Sequence, residues 1–338
     1  MEALEIRALC LHDLSSASAS PLMLTAAPTI SVLIAARNCE QTIERAMRSA
    51  LDQSSRADEV IVVDDMSADQ TVNRVLSLVS DRVLLVHGEG RGVSAARNAG
   101  IARASGEWIA FLDGDDYWRP EFLQLARLRI REAAGAVACF AAAVPVNDLG
   151  QIIGRHDVRE LVTLEDLVSG RIVPSTCATL VRRDALLECG GFFEGFRRKA
   201  GVEDLDLWWR VAALGACVGV KKPAAVYVVH DGRDRERTVH ALKDLESDRE
   251  LVIDRFAATG APQALVRRAR AIMRARTARY WLRADRPAHA RTAARSSLRA
   301  RPTLEGLVTL AVSCLPRQIR RAIVSVRRRG RARPTGRM

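Results

Sequence analysis

The sequence predicts an α/β protein with a mostly parallel, twisted sheet flanked by helices and a helical, basic extension at the C-terminus. Apolar runs of strand length alternate four times with helical patterns between Thr29 and Asp113, as in a parallel sheet with crossover helices. These runs are continuously apolar, which is typical of strands covered on both faces. Polar side chains collect where the runs end, and ligands bind at that edge of such sheets.

The predicted elements of the first half follow one another in regular order. The strand runs are TISVLIAARN, DEVIVVDDMS, RVLLVHG and EWIAFLD. The first connection, CEQTIERAMRSALDQ, has apolar residues at helical spacing from Ile43 to Leu51. In the second connection, SADQTVNRVLSLVSD, Ser67 is the predicted N-cap. The third helical stretch is GVSAARNAGIARASG.

The second half shows a looser pattern. AVACFAAAVPVND predicts a strand, LVTLEDLVSGRI a helix, and CATLVRRDALLECGGF a strand with a short helix behind it. VEDLDLWWRVAALG predicts an amphipathic helix, and VGVKKPAAVYVVH predicts strands. We expect Trp108, Trp118, Trp208 and Trp209 to be core or wall residues rather than a platform for nucleic-acid bases.

Charge divides the chain into three parts. Residues 1–28 are predicted to be an N-terminal extension, flexible around SSASASP, and residues 29–232 to be one domain. Residues 233–338 are predicted to form a helical, arginine-rich extension. Residues 262–338 contain 21 arginines, no lysine and two acids, a net charge of +19, which leaves −7 for residues 1–261. The overall charge of +12 therefore describes the tail rather than the domain.

Cysteine usage and hydropathy predict a cytoplasmic protein. The seven cysteines are scattered without a CxxC pair, which is typical of core thiols in a reducing compartment. The N-terminus lacks the basic start and continuous apolar stretch of a secretory signal. No window contains the roughly 18 apolar residues that a membrane span needs.

The stretch FLDGDDYW brings carboxylates to the end of the fourth strand. Asp113 and Asp115 form a D-x-D pair, and Gly114 between them permits a close backbone approach. Oxygen ligands at this position suit Mg²⁺ or Mn²⁺, which share their remaining positions with water and phosphate oxygens. A solvated acidic turn, with Asp116 capping the next helix, is the alternative interpretation.

Five motifs, in the order in which they occur along the chain, together resemble the family 2 glycosyltransferases. These enzymes have the GT-A fold, a Rossmann-like fold that binds nucleotide sugars. The motifs are ISVLIAARN, EVIVVDDMSADQT, GVSAARNAGIARASGEWIAFLDGDD, GGFFEGF and VEDLDLWWRVAALG. The resemblance covers about Thr29 to Asp231. It implies a metal-dependent, inverting transfer of a sugar from a nucleotide-diphospho-sugar to an acceptor hydroxyl, in the synthesis of cell-envelope polysaccharide or glycolipid.

The resemblance also implies a donor site. Position 37 is often aromatic in the family, so Arg37 here would stack on the base through its guanidinium plane. Asp65 would accept a hydrogen bond from uracil or another base. Of the two aspartates of the D-x-D pair, Asp115 is the one expected to bind the metal directly. The residues implied to bind the nucleotide sugar are Ala35, Arg37, Asn38, Asp65, Arg97, Asn98, Asp113 and Asp115. The implied metal ligands are Asp113, Asp115 and, as an open alternative to an ordinary loop-edge histidine, His230.

The segment VEDLDLWWR matches the part of the family that supplies the general base. Asp204 fits the catalytic position, with Glu203 beside it. In an inverting reaction one carboxylate must bind the metal while another stays free to take the acceptor proton. Asp206 is interpreted as a charge in the first helical turn that the helix dipole favours.

The basic tail allows three interpretations. The apolar run from Leu304 to Leu315, flanked by arginines, suits a segment lying in the headgroup region of an anionic membrane. One alternative is a helical segment that caps the domain and has a basic end. The other is nucleic-acid binding, but no recognised nucleic-acid-binding module accompanies the arginines. The first interpretation places the protein peripherally at the inner face of the cell membrane, beside sugar or lipid-linked acceptors.

Other function classes stay open at this point. A nucleotidyltransferase would need a glycine- and lysine-rich phosphate loop after the first strand, and AARNCEQT is not one. A non-catalytic protein that binds nucleotide sugars or nucleic acid is the further alternative. A UDP-sugar is the expected donor.

Overall fold

The computed structural model describes residues 27–197, 201–230 and 239–331. The predicted N-terminal extension lies almost wholly outside these residues. The four predicted strands are present as β1 (Ile30–Ala36), β2 (Glu59–Asp64), β3 (Val83–His87) and β4 (Trp108–Asp113). They are parallel and lie in the order β3-β2-β1-β4.

The connecting helices are α1 (Ile43–Leu51), α2 (Thr71–Leu76) and α3 (Val93–Arg103). The prediction that Ser67 caps the second helix was wrong. The Ser67 hydroxyl instead accepts the backbone N–H of Asn38 at 2.9 Å, and the helix begins four residues later. The side chain of Asp69 accepts the backbone N–H of Thr71 at 2.9 Å, so the chain makes a polar turn before α2 starts.

The second half completes a mixed sheet of nine strands within the described residues. Its elements are β5 (Tyr117–Trp118), α4 (Phe122–Glu132), β6 (Ala138–Asn147), β7 (Leu161–Val162), α5 (Leu164–Ser169), a 3₁₀ turn (Thr176–Ala178), β8 (Thr179–Arg182), α6 (Arg183–Glu188), α7 (Glu203–Leu214) and β9 (Cys217–Val229). Strand β8 runs antiparallel to β4 and β6, whereas β6 and β9 are parallel. The fold class is therefore as predicted, an α/β protein with a mostly parallel sheet.

The core lies on both faces of this sheet. Along β1, Val32 and Ile34 face one cluster with Met47 of α1, and Leu33 faces the other with Ile101 of α3. Helix α3 packs tightly on β1, because a Cβ on its Gly100 would lie 2.5 Å from the Leu33 side chain.

The predicted burial of the tryptophans is confirmed. Trp108, Trp118, Trp208 and Trp209 are each 3% exposed or less. Trp208 of α7 packs against Phe111 of β4, with ring centroids 5.9 Å apart. This contact holds α7 against β4.

The C-terminal part is helical and packs onto the domain. Its helices are α8 (Val239–Ala258), α9 (Gln263–Arg283), α10 (Pro287–Ala300), α11 (Leu304–Cys314) and α12 (Arg317–Arg331). The predicted helical extension is interrupted between α9 and α10 at Asp285, which has a φ of 56°, ahead of Pro287. Side chains of α8 and α9, such as Phe256 and Met273, share the core cluster of the sheet. Among the described residues, the helices lack the length and apolar character needed to cross a membrane.

Candidate active site

A cavity of about 740 Å³ opens at the carboxyl ends of β1 and β4. Ala35 of β1 is the register partner of Asp113 of β4, so these two strand ends lie side by side. The start of α7, the end of β9 and the segment 173–176 form the opposite wall. The cavity thus lies where sheets of this kind bind their ligands.

The D-x-D stretch forms a tight turn on the cavity floor. The backbone N–H of Gly114 donates to the carbonyl of Ala35 at 3.1 Å, and a Cβ on Gly114 would lie 2.8 Å from the Cys39 sulfur. Asp116 caps no helix, because its side chain accepts the N–H of Val228 at 2.8 Å and so ties the turn to β9. Burial, with the charges of Asp113 and Asp115, raises the pKa of Asp116 well above its ordinary value.

A buried guanidinium joins this floor to α7. Arg97 of α3 is 4% exposed and lies 2.7 Å from Asp113 and 3.2 Å from Glu203. Burial alone would lower the pKa of Arg97, but these two carboxylates raise it above its ordinary value. Arg97 therefore stays charged and fixes the start of α7 relative to the D-x-D turn.

The two neighbouring acids of α7 have different surroundings. Glu203 pairs with Arg97, and its other oxygen accepts the backbone N–H groups of Gly201 and Val202. Asp204 lines the cavity and accepts only the N–H of Leu205, at 2.7 Å, among the contacts of the described residues. Burial, together with the charge of Glu203, raises the pKa of Asp204 to about 7. Glu203 is held in place by its partners, whereas Asp204 has the properties of a proton acceptor near neutral pH.

His230 lies beside the D-x-D turn. Its Nε2 is 3.0 Å from an oxygen of Asp115, and its Nδ1 is 2.6 Å from an oxygen of Asp148. The imidazole thus bridges two carboxylates and orients that of Asp115. His230 follows the last residue of β9, so the strand brings it to the cavity.

The groups on the floor fit a hard divalent cation in chemistry and charge. Seven acids and two arginines line the cavity, so an anionic diphosphate needs further positive charge to enter. Asp113 and Asp115 supply carboxylate oxygens, which Mg²⁺ and Mn²⁺ prefer. In the part of the chain that the structure describes, no cluster of three or more acidic, histidine or cysteine side chains is arranged to hold a metal ion.

Arg37 and Asn38 form the wall that continues from β1. Asn38 has a φ of 50°, a conformation that asparagine adopts more readily than most residues. Its side chain accepts the N–H of Ala68 at 2.8 Å, which holds the β2 loop in place. The Arg37 side chain is 53% exposed and lies against Asp65, 3.4 Å away. A planar guanidinium is thus available to a ring that enters the cavity.

Asp65 does not line the cavity in this structure. It is 3% exposed, and one of its oxygens accepts the N–H of Gly92 at 2.9 Å, so the loop before α3 covers it. Its other oxygen is buried without a hydrogen-bond partner among the described residues. Asp65 therefore contacts the side chain of Arg37 rather than the cavity. A nucleobase could contact Asp65 directly only if Arg37 and the loop at Gly92 moved.

Asn98 also lies off the cavity wall. Its amide group donates to the carbonyl of Phe192 at 2.8 Å and to Glu194 at 2.9 Å, and its oxygen accepts the N–H of Phe192. Asn98 thus fastens the segment 192–194 to α3. The structure brings the remaining predicted residues to the cavity: Ala35, Arg37, Asn38, Arg97, Asp113, Asp115, Asp204 and His230.

The sequence reasoning missed a polar patch on the opposite wall. His156 and Ser175 lie 2.9 Å apart through Nδ1 and Oγ, and Tyr227 lies beside His156 with a ring separation of 6.1 Å. Burial lowers the pKa of His156, so the imidazole is neutral at physiological pH. The available signal was that Tyr227 lies on β9, three residues before His230.

The strand order and the acidic cavity define a GT-A fold with a candidate nucleotide-sugar site. TarS (residues 1–349) from S. aureus has a TM-score of 0.61 at 18% identity, over 89% of this chain and 92% of that chain. The mannosyltransferase PcManGT from Pyrobaculum calidifontis, solved in complex with GDP-Man and Mn²⁺, has a TM-score of 0.52 at 21% identity, over 90% of this chain and 85% of that chain. The likeness shows the fold.

Residues 31–200, half of the chain, match the family described as glycosyl transferase family 2, so the chain belongs to that family. The predicted family is confirmed. Succinoglycan biosynthesis protein ExoU of Rhizobium meliloti (strain 1021) is 30% identical over 275 residues, 74% of this chain and 77% of that protein.

Two relatives with higher identity match over shorter stretches. Succinoglycan biosynthesis protein ExoO of Rhizobium meliloti (strain 1021) is 43% identical over 118 residues, 35% of this chain and 34% of that protein. The Escherichia coli protein WfaP, a UDP-Glc:alpha-D-GlcNAc-diphosphoundecaprenol beta-1,3-glucosyltransferase, is 39% identical over 90 residues, 26% of this chain and 36% of that protein. The chain thus spans about a third of the length of these two relatives.

Proposed function

We propose that this protein is a metal-dependent, inverting glycosyltransferase that moves a sugar from a nucleotide-diphospho-sugar to an acceptor hydroxyl in cell-envelope polysaccharide or glycolipid synthesis. One observation carries the proposal. Arg97 bridges Asp113 and Glu203, so the D-x-D turn and the start of α7 with Asp204 meet in one cavity. Family membership supplies the reaction class.

The donor occupies the side of the cavity formed by β1 and β4. Arg37 stacks on the base through its guanidinium plane, and Asn38 and Ala35 line the nucleoside pocket. On the side away from the cavity, Asp65 forms an ion pair with Arg37 and accepts the backbone N–H of Gly92. The relative WfaP is named for a UDP-Glc donor, and TarS has been solved in complex with UDP-GlcNAc, which supports a UDP-sugar here.

Asp113 and Asp115 would hold Mg²⁺ or Mn²⁺, with His230 orienting Asp115 or joining the ligand set. When bound, the cation supplies positive charge that stabilises the diphosphate leaving group. Arg97 keeps Asp113 in position through the ion pair described above. The neighbour PcManGT, whose structure contains Mn²⁺, supports a divalent metal.

Asp204 accepts the proton of the acceptor hydroxyl as that hydroxyl attacks the anomeric carbon. Its pKa of about 7 lets the carboxylate take a proton near neutral pH, and the N–H of Leu205 fixes its orientation. The acceptor approaches along the wall of His156, Ser175 and Tyr227. In this proposal Asp204 and the leaving group would lie on opposite sides of the sugar, so that the reaction inverts the anomeric configuration.

The acceptor is a sugar, free or lipid-linked, and the enzyme works peripherally at the cytoplasmic face of the cell membrane. The name of the relative WfaP specifies an acceptor linked to diphosphoundecaprenol. The charge of +19 in residues 262–338 suits an anionic surface.

A donor screen tests the reaction. The full chain is incubated with Mn²⁺ and a set of UDP-, GDP- and dTDP-sugars, and release of the nucleoside diphosphate is measured with and without candidate acceptors. We expect release with at least one donor, and a product of inverted configuration by NMR of the anomeric proton. A product that retains configuration would contradict the inverting mechanism.

A further inference from the structure

Helix α11 is apolar on its packed side, where Leu310 and Val312 lie against the core cluster of the C-terminal helices, and also on its exposed side. Its buried residues are small or polar: Gly306, Thr309 and Ser313. Leu304 is 79% exposed and Leu307 is 52% exposed. A helix on the surface of a globular protein usually presents polar residues to solvent, so the exposed apolar side of α11 calls for an explanation.

Several contacts fix this orientation. Glu305 pairs with Arg279 of α9 at 3.0 Å, and Arg291 of α10 donates to the carbonyl of Ser313 at 3.0 Å. The Thr303 side chain caps the helix by accepting the N–H of Gly306. A Cβ on Gly306 would lie 2.8 Å from the Thr303 hydroxyl and 3.1 Å from the Leu298 side chain, so α11 packs closely on α10. The exposed leucines therefore belong to a helix held at both ends.

The exposed residues form one continuous apolar face. Leu304, Leu307, Ala311 and Cys314 are all exposed and follow one another at intervals of three and four residues, which places them on one side of the helix. Leu315 continues this side and is partly exposed. The eleven residues of α11 span about 16 Å, too short to cross a bilayer but long enough to lie in its surface.

Arginines lie at both ends of this face. Arg299 and Arg301 precede α11 and are exposed. Beyond its end, the side chains of Arg317 and Arg321 are 66% and 60% exposed. These two and Arg320 share the single carboxylate of Asp285, so positive charge remains in excess. An apolar face with cations at each end is complementary to apolar chains under anionic headgroups.

We infer that the outward face of α11 (Leu304, Leu307, Ala311 and Cys314, with Leu315) is the surface by which this protein docks onto an anionic membrane. The inference deepens the membrane association proposed above by naming its surface, and it rests on that part of the proposed function. A second copy of the chain would be a poor occupant, because it would bring two sets of arginines together. The leucines enter the headgroup region while the arginines contact lipid phosphates.

Sedimentation with vesicles tests this inference on the full chain. The probes are vesicles rich in phosphatidylglycerol and vesicles of phosphatidylcholine alone. We expect the double variant Leu304→Ser, Leu307→Ser to bind the anionic vesicles at least about tenfold more weakly than the unaltered chain, because two leucines are no longer buried in the membrane. The matched control is Leu149→Ser, Leu128→Ser, whose leucines are 80% and 56% exposed on the domain. It should bind as the unaltered chain does.

Insertion is measured directly with Leu307→Trp in vesicles that carry brominated lipid. The introduced indole should be quenched, while the tryptophans of the domain, buried to 3% exposure or less, should not. Equal vesicle binding by the serine variant and the unaltered chain would overturn the inference. So would loss of a dimer in the serine variant with vesicle binding unchanged, since the face would then bind a second copy. Binding of UDP with Mn²⁺, measured in parallel, should be equal in all variants and separates this result from failure of the transferase proposal.

Discussion

Arg97 is the residue on which the geometry of the cavity depends most. It is buried and touches acids from two distant parts of the chain, Asp113 and Glu203. Removing the guanidinium would leave Glu203 buried without its counter-charge and Asp113, whose side chain is 28% exposed, without its partner, which is far more costly than losing an exposed ion pair.

We predict that Arg97→Met lowers the free energy of unfolding by about 3–5 kcal/mol, as measured by urea denaturation. The control is Arg48→Met, which removes an exposed pair with Glu44 and should cost less than about 0.5 kcal/mol. Equal effects of the two substitutions would show that the Arg97 bridge is not the structural link between α3, β4 and α7.

Asp204→Asn should reduce transfer by about 10²–10⁴-fold and leave donor binding intact, because the amide cannot take the acceptor proton. The rate of transfer and the affinity for UDP with Mn²⁺ are measured on the same preparation. A variant that turns over normally would exclude Asp204 as the base.

The pH dependence of transfer provides a separate test of Asp204. A base works only when deprotonated, so a raised pKa of about 7 predicts full activity above that pH. Below it the rate should fall about tenfold for each pH unit. A rate that stays constant from pH 8 down to pH 5 would contradict this assignment.

Sequence reasoning identified the site residues that lie at strand ends. It missed the residues that reach the site through pairing between segments far apart in the sequence. Asp113 and Asp115 come directly after an apolar run, so their position was readable from the chain alone. His156 and Tyr227 meet on the cavity wall because His156 bridges to Ala143 of β6 and β6 pairs with β9, and no local pattern reports these pairings. Asp65 sits at a strand end as predicted, yet the loop at Gly92 covers it.

At the scale of elements, α7 is anchored through Asp206 rather than by a helix-dipole contact alone. Asp206 is 1% exposed and lies 2.6 Å from Arg210 on its own helix and 2.9 Å from Arg255 of α8. This buried group links the helix that carries Asp204 to the C-terminal helices. The arrangement was not visible in the sequence, because Arg255 lies 49 residues away.

We predict that Asp206→Asn destabilises the fold by about 3–5 kcal/mol, because Arg210 would be left buried without its counter-charge. Asp184→Asn is the matched control, since its carboxylate is 68% exposed and pairs with Arg182, two residues away. Thermal unfolding of both variants checks the difference. Similar midpoints would mean that the Asp206 pair contributes little to holding α7.

At the scale of the whole molecule, the fold class was readable from the order of apolar runs, whereas the packing of the C-terminal helices was not. The periodicity predicted that this region is helical. It could not show that α8 and α9 share the core of the sheet, because small residues such as Ala269 and an arginine-rich composition hide the contact face. Removal of residues from 262 onward would therefore expose part of the core, and surface substitutions on α11 are the better test of the tail.

The separation of charge between domain and tail agrees with the two proposals, in which an anionic donor and an anionic surface bind at different places. In the proposed function the acidic cavity would take a diphosphate together with a cation, while the arginines of the tail lie elsewhere on the chain. The transferase proposal depends on one claim, that the acids of the cavity surround one metal-bound diphosphate, whereas the membrane proposal is tested separately.

Calorimetric titration of UDP into the full chain tests that claim most directly. We predict binding in the presence of Mn²⁺ that weakens at least about tenfold when EDTA removes the metal or when Asp115→Asn removes a ligand. The control Asp184→Asn should bind UDP as the unaltered chain does. If neither UDP nor any other nucleoside diphosphate binds, with Mn²⁺ or Mg²⁺ or without metal, the account of this cavity is wrong.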